Sequence, residues 1–400
     1  MIKTQKITAR GYRSALKYIG YYWKKLTFYM PRDRGLSIGL PNRFVAPSSE
    51  WFAGQQFYWD SYFIILGLAV SGRAALARGM VDNFIYLYRR FSRIPSHNRF
   101  LNLVGSQPPF LTAMAKEVAE QSPDKAWLRR VMGVAEGELN SYWLARAPRR
   151  PHLVYRGLSR YCHHHTTAQS VQYESGWDFT SRFIPLGLDL LPVDLNCCLY
   201  RYETDLARFY GEVGKKSKAT KYRKRATARR RTMLGLMWDA RRGFFFDYDF
   251  VRKRRNPFWS LAGYYPLWAK LATPEQAKAC VKNLPRFLCP GGLATTQRTG
   301  LNFLPRQWDY PNGWAPLQWI VIQGLLNYGY RQEALGIARA WVDLNTKVFE
   351  RTGKFWERYD VARGRQGKSE RYPIQTGFGW TNGVYARLFA EFPELLKARV

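Results

Sequence analysis

The stretch APLQWIVIQGLLNYGYRQEALGIARAWVDLN, Ala315 to Asn345, decides the fold class. It reads as two helices joined at Gly329. Upstream, TPEQAKACVKNLPRFL opens with a capping box, Thr273 as cap, Pro274 first in the helix and Gln276 three residues on. DLNCCLYRYETDLARFYGEVG is a further helix ending in glycine, and ALARGMVDNFIYLYRRF has apolar residues at helical spacing. SPDKAWLRRVMGVAEGELNSYWL places Ser122 as N-cap and Pro123 at the first helical position. Strand alternation is scarce. The chain is expected to be mainly α, built from helical hairpins that begin near Phe57.

Of 400 residues, 46% are hydrophobic, enough to bury a sizeable core in one large domain or two ordinary ones. The 63 Lys and Arg against 29 Asp and Glu give a formal charge of +34, a surface that attracts anions. Residues 1–40 form a basic leader, with Asp33 the first acid. It lacks an apolar core followed by a cleavage site, so it is a poor secretory signal. An extra helix packed on the domain is the favoured reading; a membrane-surface or transit segment is the alternative. No run of eighteen apolar residues occurs.

The five cysteines are odd in number and show no CxxC spacing, so free thiols, a reducing cytoplasmic compartment and no zinc site are expected. His163, His164 and His165 lie side by side without further ligands at metal-binding spacing, so no metal is assigned. GxGxxG, P-loop and GxSxG patterns are absent. Lys215 to Arg231 carries ten basic residues and no acid. The solvated face of a helix is favoured there over a nucleic-acid patch, and the run Val251–Arg255 is read the same way. Incidental binding to polyanions or membrane surfaces remains open; no obligate protein partner is expected.

In a chain short of acids, Asp60, Asp178, Asp309 and Glu357 each stand directly after a tryptophan in a stretch rich in rings. Rings desolvate a carboxyl and raise its pKa. One carboxyl kept protonated and one kept ionised make the acid–base pair that glycosidic cleavage requires. Asp60 and Asp309 could equally accept backbone N–H bonds at helix starts. Together the four acids point to a cleft lined with rings, and rings suit the apolar face of a sugar.

Several motifs then resemble the trehalase family. QWDYPNGWAPLQ, Gln307 to Gln318, is similar to one signature segment of that family, and YWDSYFIILGLAVSGR, Tyr58 to Arg73, to the end of the other. ESGWDFTSRF, PVDLN, PGGLATT, ERYDV and GFGWTNGV follow in the family's order, so the resemblance spans roughly residues 41 to 390. It implies an all-α (α/α)6 toroid over 41–400, preceded by the basic extension 1–40. It also implies inverting hydrolysis of an α-glucoside, trehalose foremost, with neither metal nor organic cofactor. Asp178 would be the general acid and Glu357 the general base. The sugar site would be drawn from Phe52, Trp59, Asp60, Asn98, Gln107, Gly176, Trp177, Trp308, Trp314, Glu370 and Trp380.

The departures fall on polar side chains. The arginine of the first signature is missing from SEWFAGQQFYWD, where Phe52 or Arg43 stands nearest. Gly105 precedes Ser106-Gln107-Pro108-Pro109 where the family has arginine, and Ser96 replaces an asparagine. An Arg-Pro-x-Glu segment has no equivalent ahead of the acid motif, and Arg371 stands where an acid is expected, with Glu370 beside it. Two alternatives therefore stay open: hydrolysis of another α-glucoside such as a glucosyl-glycerate, and a toroid that binds sugar or polyanion without cleaving it.

Overall fold

The computed structural model describes residues 7–145, 152–162, 168–298, 306–369 and 372–397. Its helices are α1 (Ala9–Leu26), α2 (Tyr58–Val70), α3 (Ala74–Phe91), α4 (Leu111–Gln121), α5 (Lys125–Glu138), α6 (Ala168–Ser175) and α7 (Val193–Glu212). They continue with α8 (Lys216–Met237), α9 (Tyr265–Trp268), α10 (Pro274–Lys282), α11 (Ala315–Leu326), α12 (Arg331–Thr352) and α13 (Gly379–Glu391).

Six of them close a ring. α2 touches α4, α4 touches α7, α7 touches α9, α9 touches α11, α11 touches α13, and α13 returns to α2. In α2, 12 of 13 residues are buried, which is what an inner helix surrounded by others requires. α11 and α13 are apolar on almost every side for the same reason. The outer helices are amphipathic and alternate with the inner ones along the chain, giving the (α/α)6 toroid in a single domain. α1 takes an outer place. Tyr12, Ala15, Ile19, Trp23 and Leu26 recur at helical spacing and are buried, and the helix lies against α12 and α13. Where α2 meets α13 the backbones touch: a Cβ on Gly67 would lie 2.4 Å from Gly383 Cα. Only glycine permits that approach.

The hairpin expected over Ala315–Asn345 forms. α11 ends at Leu326 and Gly329 turns the chain at φ +83° into α12. The capping box of α10 is present with both of its hydrogen bonds. The start of α5 differs from expectation. Asp124, not Ser122, is its N-cap, accepting from Trp127 N at 2.8 Å. Ser122 instead closes α4, and the Asp124 carboxylate caps the helix in its place. The basic run lies on α8, with its lysines exposed and Ala219, Tyr222, Ala226, Met233 and Met237 turned inward. Arg229 is the exception: it is buried and pairs with Glu203 at 3.0 Å. The strands are short ladders of two or three residues. One of them joins Asn312–Gly313, Tyr359–Asp360 and Arg365–Gln366, and so places the turns around Trp314 and Glu357 side by side.

Candidate active site

The inner helices begin at one end of the ring, and the chemistry-bearing residues collect there. Asp60 is in the first turn of α2, Gln107 lies just before α4, Trp314 caps α11 and Trp380 opens α13. An inner chamber is lined by Phe52, Phe57, Trp59, Asp60, Gln107, Gly176, Asp178, Trp308, Trp314, Glu357, Tyr372, Phe378 and Trp380, with Pro47. Above it an open cleft of about 1010 Å3 is lined by Trp51, Gln55, Ser96, His97, Arg99, Asn102, Ser106, Ser170 and Tyr173. Phe52, Phe57, Gln107 and Asp178 border both spaces. Among the described residues Asp178 is thus the only carboxyl at the junction, while Asp60 and Glu357 line the chamber and not the cleft.

Tryptophans make the chamber wall. Trp308 and Trp314 stack at 3.9 Å with rings 2° apart, and Trp380 stands edge-on to Trp314 at 5.6 Å. Trp314 Nε1 donates to Gln307 O at 2.9 Å and Trp380 Nε1 to Glu357 O at 3.0 Å, so the wall and the Glu357 backbone are locked together. Gly176 has φ +72°, and a Cβ there would come within 2.6 Å of the Trp59 ring. A glycine is required on both counts.

The three carboxyls differ in surroundings. Burial pushes Asp60 well above the usual carboxylate range, and the charges of Asp178 and Glu357 add to that push. Burial raises Glu357 too, but Arg358 and Tyr372 oppose it. Arg358 Nη1 donates to Glu357 Oε2 at 2.9 Å and Tyr372 OH to Oε1 at 2.6 Å. Those two donors favour the ionised form that a base needs. Asp178 is half-buried, at the mouth of the larger space.

The segment that carries Asp178 is clamped on both sides. Asp309 accepts from Thr180 Oγ1 at 2.8 Å and Ser181 Oγ at 2.6 Å, so this acid holds the loop of Asp178 and is not among the chamber-lining residues. Arg182 lies over the Trp177 ring at 4.7 Å and is pinned by Asp194 at 2.7 Å and Asp247 at 2.7 Å. Before the loop, Glu174 accepts from His152, Tyr142 and Cys162 N, which anchors the end of α6.

Most of the expected site residues come together. Phe52, Trp59, Asp60, Gln107, Gly176, Asp178, Trp308, Trp314, Glu357 and Trp380 all line the chamber. Trp177 lies behind it, stacked on Trp308 at 5.8 Å. Asn98 is buried and spends its side chain on Gln56 N at 2.7 Å and Ile38 O at 2.9 Å, so it braces a loop. Arg43 is exposed beside Tyr29 and does not replace the missing arginine. Glu370 and Arg371, and the histidines 163–165, lie outside the described residues. Tyr372, Arg358, Phe57 and Phe378 were not singled out in the sequence, although Arg358 adjoins Glu357 and Tyr372 stands in the RYP segment. Among the described residues no group of three His, Cys, Asp or Glu is arranged to hold a metal ion. None of the five cysteines is in a disulfide, and no described helix is long and apolar enough to cross a membrane.

Comparison with known proteins agrees with this geometry. The family model described as Trehalase matches residues 5–172 and 163–393. A periplasmic trehalase of Pseudomonas aeruginosa is 35% identical over 430 residues, covering 93% of this chain and 75% of its own. Its location lends no support to the expected cytoplasmic one. The neutral trehalase of Saccharomyces cerevisiae superposes with a TM-score of 0.76 at 31% identity, over 86% of this chain and 72% of that one. A mannosylglycerate hydrolase of Thermus thermophilus, solved with glucose, shares the fold at TM-score 0.68 and 18% identity, over 93% and 99% of the two chains.

Proposed function

The chain belongs to the trehalase family of glycoside hydrolases, and from that premise we propose that it hydrolyses α,α-trehalose with inversion, using Asp178 as acid and Glu357 as base. One glucose occupies the chamber and the other the cleft. Asp178 gives its proton to the glycosidic oxygen between them as the bond to the anomeric carbon breaks. A water attacks that carbon from the opposite face, and Glu357 takes its proton. Asp60 grips hydroxyls of the cleaved glucose. The chamber glucose leaves as the β anomer and its partner as the α anomer. The observation that carries the assignment is the position of Asp178 on the border of the two spaces, with Glu357 in the chamber only. A screen of α-linked disaccharides followed by NMR tests it. Trehalose should be cleaved with β-glucose appearing first as half of the product, and Asp178→Asn and Glu357→Gln should each leave a folded protein with almost no turnover. Wild-type activity in either variant removes the assignment.

One observation favours a second reading in which the leaving group is an anion. Arg99 lines the cleft, and its Nε is buried without a hydrogen-bond partner among the described residues. An α-glucosyl-glycerate would supply a carboxylate to that fork. Assaying it beside trehalose decides between the two by kcat/KM. We also propose that residues 1–40 are part of the catalytic unit, on the packing of α1, and that cysteines outside disulfides fit a reducing compartment, which cell fractionation checks.

A further inference from the structure

We propose that the groove between α7 and α8 binds a small molecule bearing several phosphate groups, at a place separate from the site above. The groove encloses about 670 Å3, inside the range of roughly 300–1,000 Å3 common to ligand pockets. Arg208 of α7 and Arg223, Arg230 and Arg231 of α8 line it, with hydroxyls from Thr204 and Thr227 and no acidic side chain. None of its lining residues borders the chamber or the cleft.

The arrangement on α8 is selective. Residues 223, 227, 230, 231 and 234 recur at helical spacing on the face turned to α7. The lysines of the run, Lys215, Lys216, Lys218, Lys221 and Lys224, stand in solvent and do not line the groove. Arg230 donates Nε to Leu271 O at 2.7 Å, which fixes the plane of its fork. Of the four arginines only Arg208 has carboxylates beside it, Asp205 at 3.5 Å and Glu212 at 4.0 Å. Among the described residues no carboxylate forms an ion pair with Arg223, Arg230 or Arg231. Guanidinium groups gathered without counter-charges repel one another. An anion of several charges between them relieves that repulsion, and a planar fork with paired donors matches phosphate oxygens.

The test is calorimetric titration of inorganic tripolyphosphate into the full chain, in phosphate-free buffer at ~0.15 M salt. Saturable binding at one site is expected. Arg223→Gln with Arg231→Gln should weaken it by about tenfold or more, and Lys216→Gln with Lys221→Gln, an equal loss of charge outside the groove, by less than about twofold. Glutamine matches both residues in helix propensity, and circular dichroism checks that each variant is folded. Absence of saturable binding, equal weakening by both pairs, or citrate binding as tightly as tripolyphosphate would each overturn the proposal. Equal weakening is also what a diffuse field for RNA or vesicles would produce. The readout is binding, so it stands apart from any result on hydrolysis.

Discussion

Replacing Tyr372 by Phe isolates the electrostatics of the proposed base. The ring keeps its place against Phe52, at 5.6 Å, and Trp51, at 6.2 Å. Only the hydroxyl that donates to Glu357 Oε1 at 2.6 Å is lost. A hydrogen bond to a charged group contributes about 1.5–3 kcal/mol, and each ~1.4 kcal/mol is a factor of ten. The ionised form of Glu357 is therefore disfavoured by about tenfold or more in the variant. The sign follows from the causes already acting. Burial raises Glu357, Arg358 and Tyr372 lower it, and removing one of the lowering groups raises it further. The acidic limb of kcat/KM against pH should move to higher pH. On that limb the variant should lose about tenfold or more, and on the plateau far less. The assay is kcat/KM for trehalose across the whole pH range in a buffer series of constant ionic strength. A uniform loss at every pH would mean that Tyr372 serves the sugar and not the base. A limb that stays put, or moves to lower pH, would refute the role given to Glu357.

Three other perturbations follow from the same geometry. Gly176→Ala puts a Cβ against the Trp59 ring at a positive φ; it should cost more than about 1 kcal/mol in urea unfolding and lower kcat/KM by about tenfold. Glu138 is pushed up to about 7 by burial, with Tyr202, Tyr58 and Trp143 donating to it. A raised folded-state pKa stabilises below the ordinary carboxylate range and loses that contribution as pH rises through about 7. Unfolding free energies at about pH 5 and about pH 8 should thus fall in the wild type relative to Glu138→Gln, by an order of magnitude of about 3 kcal/mol. A chain cut at residue 40 loses the buried Trp23, Ile19 and Leu26 of α1, and the loss of one such aromatic alone costs about 3–5 kcal/mol. It should be insoluble or molten by near-ultraviolet circular dichroism; a cooperative, active fragment would show that the ring closes without α1.

What was legible in the sequence was what local physics writes there. The capping box of α10 and the Gly329 turn are contacts between near neighbours, so they could be read directly. Four acids behind tryptophans pointed to a ring-lined hollow because each pair is adjacent in the chain. Their division of labour was not written locally. Asp309 turns to Thr180 and Ser181, 129 and 128 residues away, and nothing in QWDYPNG announces that partner. Asn98 is likewise spent on backbone of distant loops. Tyr372 acquires its meaning only where its hydroxyl reaches Glu357. The basic leader was expected to be an extra helix packed on the domain, and α1 buries five side chains at helical spacing in the outer layer.

The departures from the family pattern are not scattered at random over this geometry. The residues that match it, Trp59, Asp60, Gln107, Gly176, Asp178, Trp314 and Glu357, border the chamber. Ser96, which replaces an asparagine, lines the cleft, and Gly105 precedes two residues that do. On the proposed mechanism the chamber holds the sugar whose bond is cleaved, and its partners must match the transition state. The cleft holds the leaving group, which discriminates only through the donors it offers. Ser96 in place of an asparagine and Gly105 in place of an arginine alter which leaving group is welcome. They leave the acid, the base and the tryptophan wall as they were, because those are held by Asp309, Arg358 and Gln307 O from beneath the chamber and not from the cleft.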